Sequence, residues 1–186
     1  MTNDPPSAVV LLAEGSEEIE AMAPADVLAR AGVAVTVAGV DGLQPTGSRG
    51  LPMRADRLVG ALRGVMFDAV VVPGGNGGAA SIAASDEAVR LIRGHADAGK
   101  LLCAICAAPA VVLGPLGLLD GKQATDYPGT TESFPPSATA VDADVVDDGM
   151  LITSKGPATA VAFGLAIAAR LTDEATAREV GEGMLV

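Results

Sequence analysis

The chain has 186 residues, with 12 Lys and Arg against 23 Asp and Glu, and a net charge of −11 at pH 7. This length predicts one domain, and the 49% of hydrophobic residues is ample for a core. The acidic balance argues against nucleic acid as a partner, because phosphate binding needs clustered basic side chains. No apolar segment approaches the roughly 20 residues that span a bilayer, so we expect no membrane association.

Cysteine usage and the N-terminus both bear on the compartment. Two cysteines, Cys103 and Cys106, are too few for the disulfide framework of a small secreted protein. Residues 1–7 contain no basic side chain, and the apolar run at 8–13 is too short for the core of a signal peptide. We therefore expect a cytoplasmic protein.

Strand and helix patterns alternate through the first half of the chain. Ser16 and Ser85 are predicted helix N-caps, and Gly32 is expected to end the first helix. The segment 41–57 is rich in turn formers and is a candidate hairpin. The predicted strands are 8–13, 33–40, 68–72 and 101–105, and the predicted helices are 17–31, 86–98 and 107–113.

Signals are weaker in the second half. We predict short strands at 123–125 and 151–153, a hairpin within 138–150, and a long helix over 157–171 that begins with a proline. Alternating apolar strands and helices are typical of an α/β protein. The sequence therefore predicts a three-layer α/β sandwich with a mostly parallel central sheet.

The sharp boundary between a strand and a helix at Cys106 indicates a functional thiol. No loop separates the two elements, so the sulfur should be exposed near the first amides of the helix, which would lower the pKa of the thiol. Cys103 lies inside the strand, and residues three apart on a strand point to opposite faces. We therefore expect no disulfide between them, although a buried structural role for Cys106 remains the alternative.

The single histidine, His95, bears on the catalytic class. It lies in the helix before the fourth strand, about 17 Å from Cys106 at the far end of that strand. It should be a solvated helix-end residue rather than the general base of a cysteine protease or amidotransferase. Two cysteines on opposite faces and one histidine also do not form a tetrahedral zinc site, so no metal is expected.

Three carboxylates begin the first helix. Helix capping and the helix dipole can explain Glu17, Glu18 and Glu20 without any catalytic role. Alternatively, Glu20 turns inward beneath Cys106, where burial would raise its pKa and allow it to act as an acid and base.

Bare backbone amides are expected at the turn 73–75. Together with the amide of Ala107 they could form an oxyanion hole. A phosphate-binding loop is the competing interpretation, but the segment contains neither a Gly-x-Gly-x-x-Gly pattern nor a Walker lysine.

Four segments resemble a known family. They read EGSEEIE at 14–20, VVPGG at 71–75, AICAAP at 104–109 and TSKGPAT at 153–159. Their order and spacing are similar to those of the Parkinsonism-associated deglycase (DJ-1) branch of the ThiJ/PfpI superfamily. The resemblance covers almost the whole chain and implies one ThiJ/PfpI-type (class I glutamine amidotransferase-like) domain over residues 1–186, with a flavodoxin-like fold and a homodimeric assembly.

The resemblance also implies roles for individual residues. Cys106 would be a nucleophilic, oxidation-prone thiol, and Glu20 a protonated carboxyl bonded to it. The oxyanion pocket would be formed by the amides of Gly75 and Ala107. Two arginines match positions near this pocket, namely Arg49 and, across the dimer, Arg30.

Some positions depart from the family pattern. Tyr127 stands where several members have a histidine beside the cysteine, which puts any imidazole-dependent role in doubt. Ala107 replaces the histidine of the protease-like branch and weakens a protease interpretation. Gly47 stands at the position of a peripheral family cysteine, so redox signalling through that site is excluded.

The leading functional hypothesis is a cofactor-independent glyoxalase (lyase) or deglycase (hydrolase). Its substrates would be methylglyoxal, glyoxal or their early glycation adducts, attacked by Cys106 with Glu20 relaying a proton. One alternative is an oxidative-stress sensor or redox-regulated chaperone that oxidises the same cysteine. A third is a protein that only binds a small acid in the pocket.

Overall fold

The computed structural model describes residues 4–186 and has one seven-stranded sheet. Its strand order is β3-β2-β1-β4-β5-β9-β8, and all neighbours are parallel except the antiparallel pair β8 and β9. A separate parallel pair is formed by β6 and β7. The strands are β1 (Ser7–Leu12), β2 (Ala34–Gly39), β3 (Arg57–Leu58), β4 (Ala69–Val72), β5 (Leu101–Ile105), β6 (Gln123–Ala124), β7 (Thr139–Ala140), β8 (Val145–Asp148) and β9 (Leu151–Ser154).

Helices cover both faces of the sheet. Helices α1, α4 and α5 pack together, and α2 packs on α3, so the predicted three-layer α/β sandwich is confirmed. None of the helices within residues 4–186 is both long and apolar enough to cross a membrane. The helices are α1 (Glu18–Arg30), α2 (Asn76–Ala84), α3 (Asp86–Asp97), α4 (Ala160–Leu171) and α5 (Glu174–Gly183), with single 3-10 turns at Val59–Leu62, Thr131–Ser133 and Pro157–Thr159.

The central strands are apolar because helices cover them on both sides. Every residue of β4 and β5 is buried, as expected for parallel strands enclosed by two helix layers. The register pairs Val72 of β4 with Ala104 of β5, and Ile105 of β5 with Ser154 of β9. The carboxyl ends of these strands therefore meet at one edge, where parallel sheets usually bind ligands.

The start of α1 differs from the prediction. Glu17, not Ser16, is the N-cap, and its carboxylate accepts a hydrogen bond from the amide of Glu20 at 2.8 Å. The hydroxyl of Ser16 instead accepts from the amide of Ala13 at 3.1 Å. Ser16 is buried in the turn, so its side chain is used there rather than at the helix end.

Other segments also differ from their predictions. The candidate hairpin at 41–57 contains only an isolated bridge between Thr46 and Pro52. The segment 107–113 forms a single π turn, Pro109–Leu113, rather than an α-helix. Within 138–150, β7 pairs with β6, and only β8 forms a hairpin with β9. Helices α2 and α5 were not predicted.

Candidate active site

Cys106 occupies a strained turn directly after β5. Its φ of +64° lies in the left-handed region, which among the non-glycine residues of 4–186 is shared only by Leu185. Two backbone bonds fix this turn: the amide of Cys106 donates to Ser154 at 2.9 Å, and the amide of Tyr127 donates to the Cys106 carbonyl at 2.9 Å. Such strain costs about 1–3 kcal/mol and is concentrated at functional sites. The backbone thus fixes the direction of the thiol.

Cys106 is largely buried, and only 8% of the residue is exposed to solvent. The backbone amides of Gly75 and Ala107 donate hydrogen bonds to its sulfur and lower the pKa of the thiol. Burial and the adjacent Glu20 carboxylate outweigh these amides and raise the pKa of Cys106 to about 12. The sequence-based expectation of a lowered pKa for the Cys106 thiol is therefore wrong, because burial outweighs the effect of the amides.

Glu20 is fully buried beside Cys106. The amide of Gly74 donates to its Oε2 atom at 2.9 Å, whereas Oε1 has no hydrogen-bond partner of regular geometry within residues 4–186. Burial raises the pKa of Glu20 to about 7, although its contacts with the Cys106 thiol and the Gly74 amide oppose this shift. Burial therefore disfavours the charged form of both groups, and ionisation of Glu20 makes it harder for the Cys106 thiol to lose its proton.

The acids at the start of α1 have different partners. Only Glu17 caps the helix, and its negative charge also helps to raise the pKa of Glu20. Glu18 accepts hydrogen bonds from Ser48, Arg49 and Leu51 on a neighbouring loop. Capping therefore does not explain all three carboxylates, because Glu18 and Glu20 point to tertiary partners.

An open cleft of about 820 Å³ lies above Cys106 and Glu20. It contains the predicted residues Gly75, Arg49 and Tyr127, and Arg49 is the one basic side chain among its described lining residues. Several other residues line the cleft but had no predicted role in the site, because only the fold brings their chain segments close together. These additional lining residues include Glu14, Thr46, Ser48, Asn76, Ser81 and Pro157.

Tyr127 forms one wall of the cleft. Its backbone is tied to Cys106, and its side chain is 49% exposed. A Cβ added to Gly156 would lie 3.3 Å from the Tyr127 ring and 3.8 Å from Oε1 of Glu20. The bare backbone of Gly156 therefore lies between the ring and the buried carboxyl, and a phenol replaces imidazole at this wall.

The remaining predicted residues lie outside the cleft. Arg30 is exposed near the end of α1 and pairs with Asp26 at 2.8 Å, so its predicted role across a dimer stays a prediction. Cys103 is fully buried within β5, and both cysteines are free. Burial raises the pKa of the Cys103 thiol well above its ordinary value.

His95 is distant from this cleft, as expected, but it is not solvated. It is only 2% exposed, and its ring stacks on Phe67 with centroids 6.0 Å apart. Its Nε2 atom accepts from the amide of Phe67 at 2.9 Å, and its Nδ1 atom bonds the carbonyl of Leu91 at 2.7 Å. The expectation of a solvated helix end is wrong, because both ring nitrogens satisfy buried backbone groups.

Comparisons with known proteins agree with this geometry. Protein dj-1beta of Drosophila melanogaster is 42% identical over 97% of this chain and 97% of its own length. Its crystal structure matches with a TM-score of 0.94, covering 98% of this chain and 99% of that one. The structure of oxidized Toxoplasma gondii DJ-1 matches with a TM-score of 0.94 at 36% identity, over 97% and 98% of the two chains.

A further relative carries an enzyme name. Glutathione-independent glyoxalase DJR-1.2 of Caenorhabditis elegans is 32% identical over 87% of this chain and 86% of its own length. The sequence model described as the DJ-1/PfpI family matches residues 6–170. With the strained Cys106 turn and its buried carboxyl partner, these similarities show that the chain belongs to the DJ-1/PfpI family.

Proposed function

We propose that the protein is a glutathione-independent glyoxalase or deglycase that needs no cofactor. The observation that carries this proposal is the pairing of a strained cysteine with a fully buried glutamate whose pKa is about 7. A group with this pKa exchanges protons readily at physiological pH. The substrates would be methylglyoxal, glyoxal or their early glycation adducts, and the name of the Caenorhabditis elegans relative supports the reaction class.

The first step would form a carbon–sulfur bond. When Glu20 is ionised, it accepts the proton of the Cys106 thiol as sulfur adds to the aldehyde carbon of methylglyoxal. The carbonyl π electrons move onto oxygen, where the amides of Gly75 and Ala107 can stabilise the negative charge. Glu20 then gives the former thiol proton to this oxygen, which completes a hemithioacetal and restores the Glu20 carboxylate. The strained turn helps because it fixes the direction of sulfur before the substrate arrives.

Glu20 would then move a proton between the two substrate carbons. Its carboxylate removes the proton from the former aldehyde carbon, giving an enediolate, and its acid form returns the proton to the neighbouring carbon. The hydroxyl proton of the first carbon passes to the oxygen of the second. This internal redox step converts the hemithioacetal into the thioester of lactate. Water then cleaves the carbon–sulfur bond and restores the thiol of Cys106, so one methylglyoxal and one water give one lactate.

Lactate formation from methylglyoxal, without glutathione or added metal, tests this proposal. Wild type should form lactate and Cys106→Ser should lose this activity. Cys103→Ala is the matched control, because it removes the buried thiol of β5 and should retain turnover. No lactate from wild type, or equal rates in Cys106→Ser, would contradict the proposal.

A redox role of the same cysteine is the second candidate. The amides of Gly75 and Ala107 that contact sulfur could equally bind the oxygens of a sulfinate, and the related Toxoplasma gondii DJ-1 structure is that of an oxidized protein. Mass spectrometry after two or more equivalents of peroxide per chain would detect two added oxygens on Cys106 and none on Cys103. A sensor would show this oxidation without dicarbonyl turnover, whereas an enzyme would lose turnover as Cys106 oxidises.

We also propose that two copies of the chain form a homodimer. Ile19 and Leu51 are 52% and 59% exposed, and the bond from the Leu51 amide to Glu18 brings these apolar side chains to one surface. A second copy could cover this surface, which adjoins the start of α1. Light scattering at micromolar concentration should give twice the chain mass, and Ile19→Asp should shift it towards one chain. A monomeric wild type would contradict the dimer and the predicted role of Arg30.

A further inference from the structure

The loop that supplies Arg49 to the cleft is held by side chains of the α1 region. This Arg49 loop, residues 46–51, contributes Thr46, Gly47, Ser48 and Arg49 to the cleft wall. It contains no helix or strand, and its internal bonds are Gly47 to Leu51 at 2.9 Å and Gly50 to Gly47 at 3.0 Å. Two internal bonds alone leave its position on the protein undefined.

Glu18 makes most of the side-chain contacts to this loop. Its Oε1 atom accepts from the amides of Arg49 at 2.8 Å and Leu51 at 3.3 Å, and its Oε2 atom accepts from the Ser48 hydroxyl at 3.3 Å. Glu18 is only 8% exposed. Burial alone would raise the pKa of this carboxyl, but the hydrogen bonds outweigh burial and lower the pKa below 4.5. Glu18 is therefore an ionised anchor at neutral pH.

The fit between Glu18 and the loop is close. A Cβ added to Gly47 would overlap the Glu18 carboxyl group. Further along, the amide of Ser48 donates to the Ser16 carbonyl at 2.8 Å, and Glu14 accepts from the amide of Thr46 at 2.8 Å. The amide of Gly15 also donates to the Thr46 carbonyl at 2.8 Å, which helps to hold the start of the loop. The Glu18 carboxylate lies directly on the loop backbone at Arg49.

We propose that Glu18 is a positioning residue that holds Arg49 at the cleft, where the guanidinium attracts the oxygen-bearing, electron-rich end of the substrate. Arg49 makes no ion pair within residues 4–186, so its charge is available to a ligand. The first turn of α1 thereby has two separate functions: Glu20 contacts the reacting thiol, and Glu18 orients Arg49, which binds the substrate. The nature of the bound substrate rests on the proposed function above, whereas the placement of Arg49 does not.

Labelling of Cys106 with a charged and a neutral reagent tests this placement without any turnover. Iodoacetate is an anion and iodoacetamide is neutral. The iodoacetate ratio, which is the labelling rate with iodoacetate divided by that with iodoacetamide, reports the positive charge near sulfur. The intrinsic reactivity of the thiol affects both rates and cancels. Arg49→Ala should lower this ratio by about two- to fivefold, the effect of one exposed charge. The same measurement then compares Glu18→Ala with Glu18→Gln.

The two Glu18 variants remove the same negative charge but differ in hydrogen bonding. Glutamine keeps a side-chain oxygen that can accept hydrogen bonds from the amides of Arg49 and Leu51. Alanine has no such oxygen, so both hydrogen bonds are lost. The iodoacetate ratio should therefore be two- to fivefold lower in Glu18→Ala than in Glu18→Gln. In an Arg49→Ala background the two variants should give equal ratios, because Glu18 acts through Arg49. Equal ratios in the protein that retains Arg49 would overturn the proposal.

Two further measurements distinguish a failure of this proposal from a failure of the proposed function or of folding. They are the kinetic constants of Glu18→Ala and the labelling ratio of Gly47→Ala. If dicarbonyl turnover exists, Glu18→Ala should raise KM with little change in kcat, and a lowered ratio without any turnover would contradict only the proposed function. If Glu18→Ala does not fold, Gly47→Ala forces the Glu18 carboxyl and the loop apart while retaining Glu18. Gly47→Ala should lower the ratio as Arg49→Ala does, and a wild-type ratio would overturn the proposal.

Discussion

The amide of Gly74 donates to Oε2 of Glu20 at 2.9 Å and so holds a fully buried carboxyl against Cys106. This contact and the one with the Cys106 thiol favour the ionised carboxyl but do not compensate for its burial. Oε1 has no hydrogen-bond partner of regular geometry within residues 4–186. The protonated form of Glu20 is therefore favoured up to about pH 7. The site keeps a buried ionisable carboxyl at the expense of stability.

Replacing Glu20 by glutamine should stabilise the protein above pH 7. The pKa of Glu20 is raised from 4.5 to about 7, so its contribution to stability is present below pH 4.5 and is lost as pH rises through 7. The loss amounts to roughly 3 kcal/mol. In urea titrations the unfolding free energy of Glu20→Gln should exceed that of wild type by more at pH 8 than at pH 4.5. A constant difference would show that Glu20 has an ordinary pKa.

The rate of turnover should follow the ionisation of Glu20. Its carboxylate must accept the thiol proton, so kcat/KM should rise about tenfold per pH unit below 7 and level off above it. The pH profile of methylglyoxal turnover measures this limb. The limb should disappear from the residual activity of Glu20→Gln, and its persistence there would assign the titration to another group.

Gly74 should tolerate no side chain. A Cβ at this position would lie 2.6 Å from Oε2 of Glu20 and 2.7 Å from the Cβ of Cys106, so alanine must push the pair apart. We expect Gly74→Ala to lower kcat/KM by about 10²-fold, the effect of a displacement of roughly 1 Å. Gly94→Ala is the matched control, because an added Cβ there meets no atom within 4 Å. Equal kcat/KM values in the two variants would contradict the geometry.

His95 should make stability depend on pH in the opposite direction. Burial lowers its pKa below 6.5, and protonation would put a hydrogen between Nε2 and the amide of Phe67. Its stabilising contribution is therefore present above pH 6.5 and is lost as pH falls through the folded pKa. Urea titrations should show His95→Gln less stable than wild type by about 1–3 kcal/mol at pH 7.5. This difference in unfolding free energy should be smaller at pH 5.5. A difference that does not change with pH would contradict the claim that His95 is neutral in the folded protein.

The main strands could be predicted because burial on both faces leaves continuous apolar runs, as in residues 8–13 and 101–105. Helix α2 was missed because its first turn, Asn76-Gly77-Gly78, consists of poor helix formers. Gly78 is required by packing, since a Cβ at this position would overlap Ser16. Helix α5 was missed because its ten residues are polar on average, although it packs on α4.

At the site, Cys106 could be proposed from its place directly after a strand, and Glu20 from its place in the first turn of the first helix. The pairing of Glu18 with Arg49 could not, because the two residues are 31 positions apart and no local pattern links them. The burial of His95 likewise depends on Phe67, which is 28 positions away. Sequence spacing indicates which residues approach the sheet edge, but the partners of each polar group depend on tertiary packing.

Proton transfer by Glu20 is the central step of the proposed reaction, and Glu20→Gln tests it in one experiment. Lactate formation from methylglyoxal and the iodoacetamide labelling rate of Cys106 are measured on the same preparation at pH 8. We predict a 10²- to 10⁴-fold loss of turnover, with labelling no slower than in wild type because removal of the carboxylate charge lowers the thiol pKa. Turnover equal to wild type, with Cys106 still labelled, would contradict the proton-transfer role of Glu20.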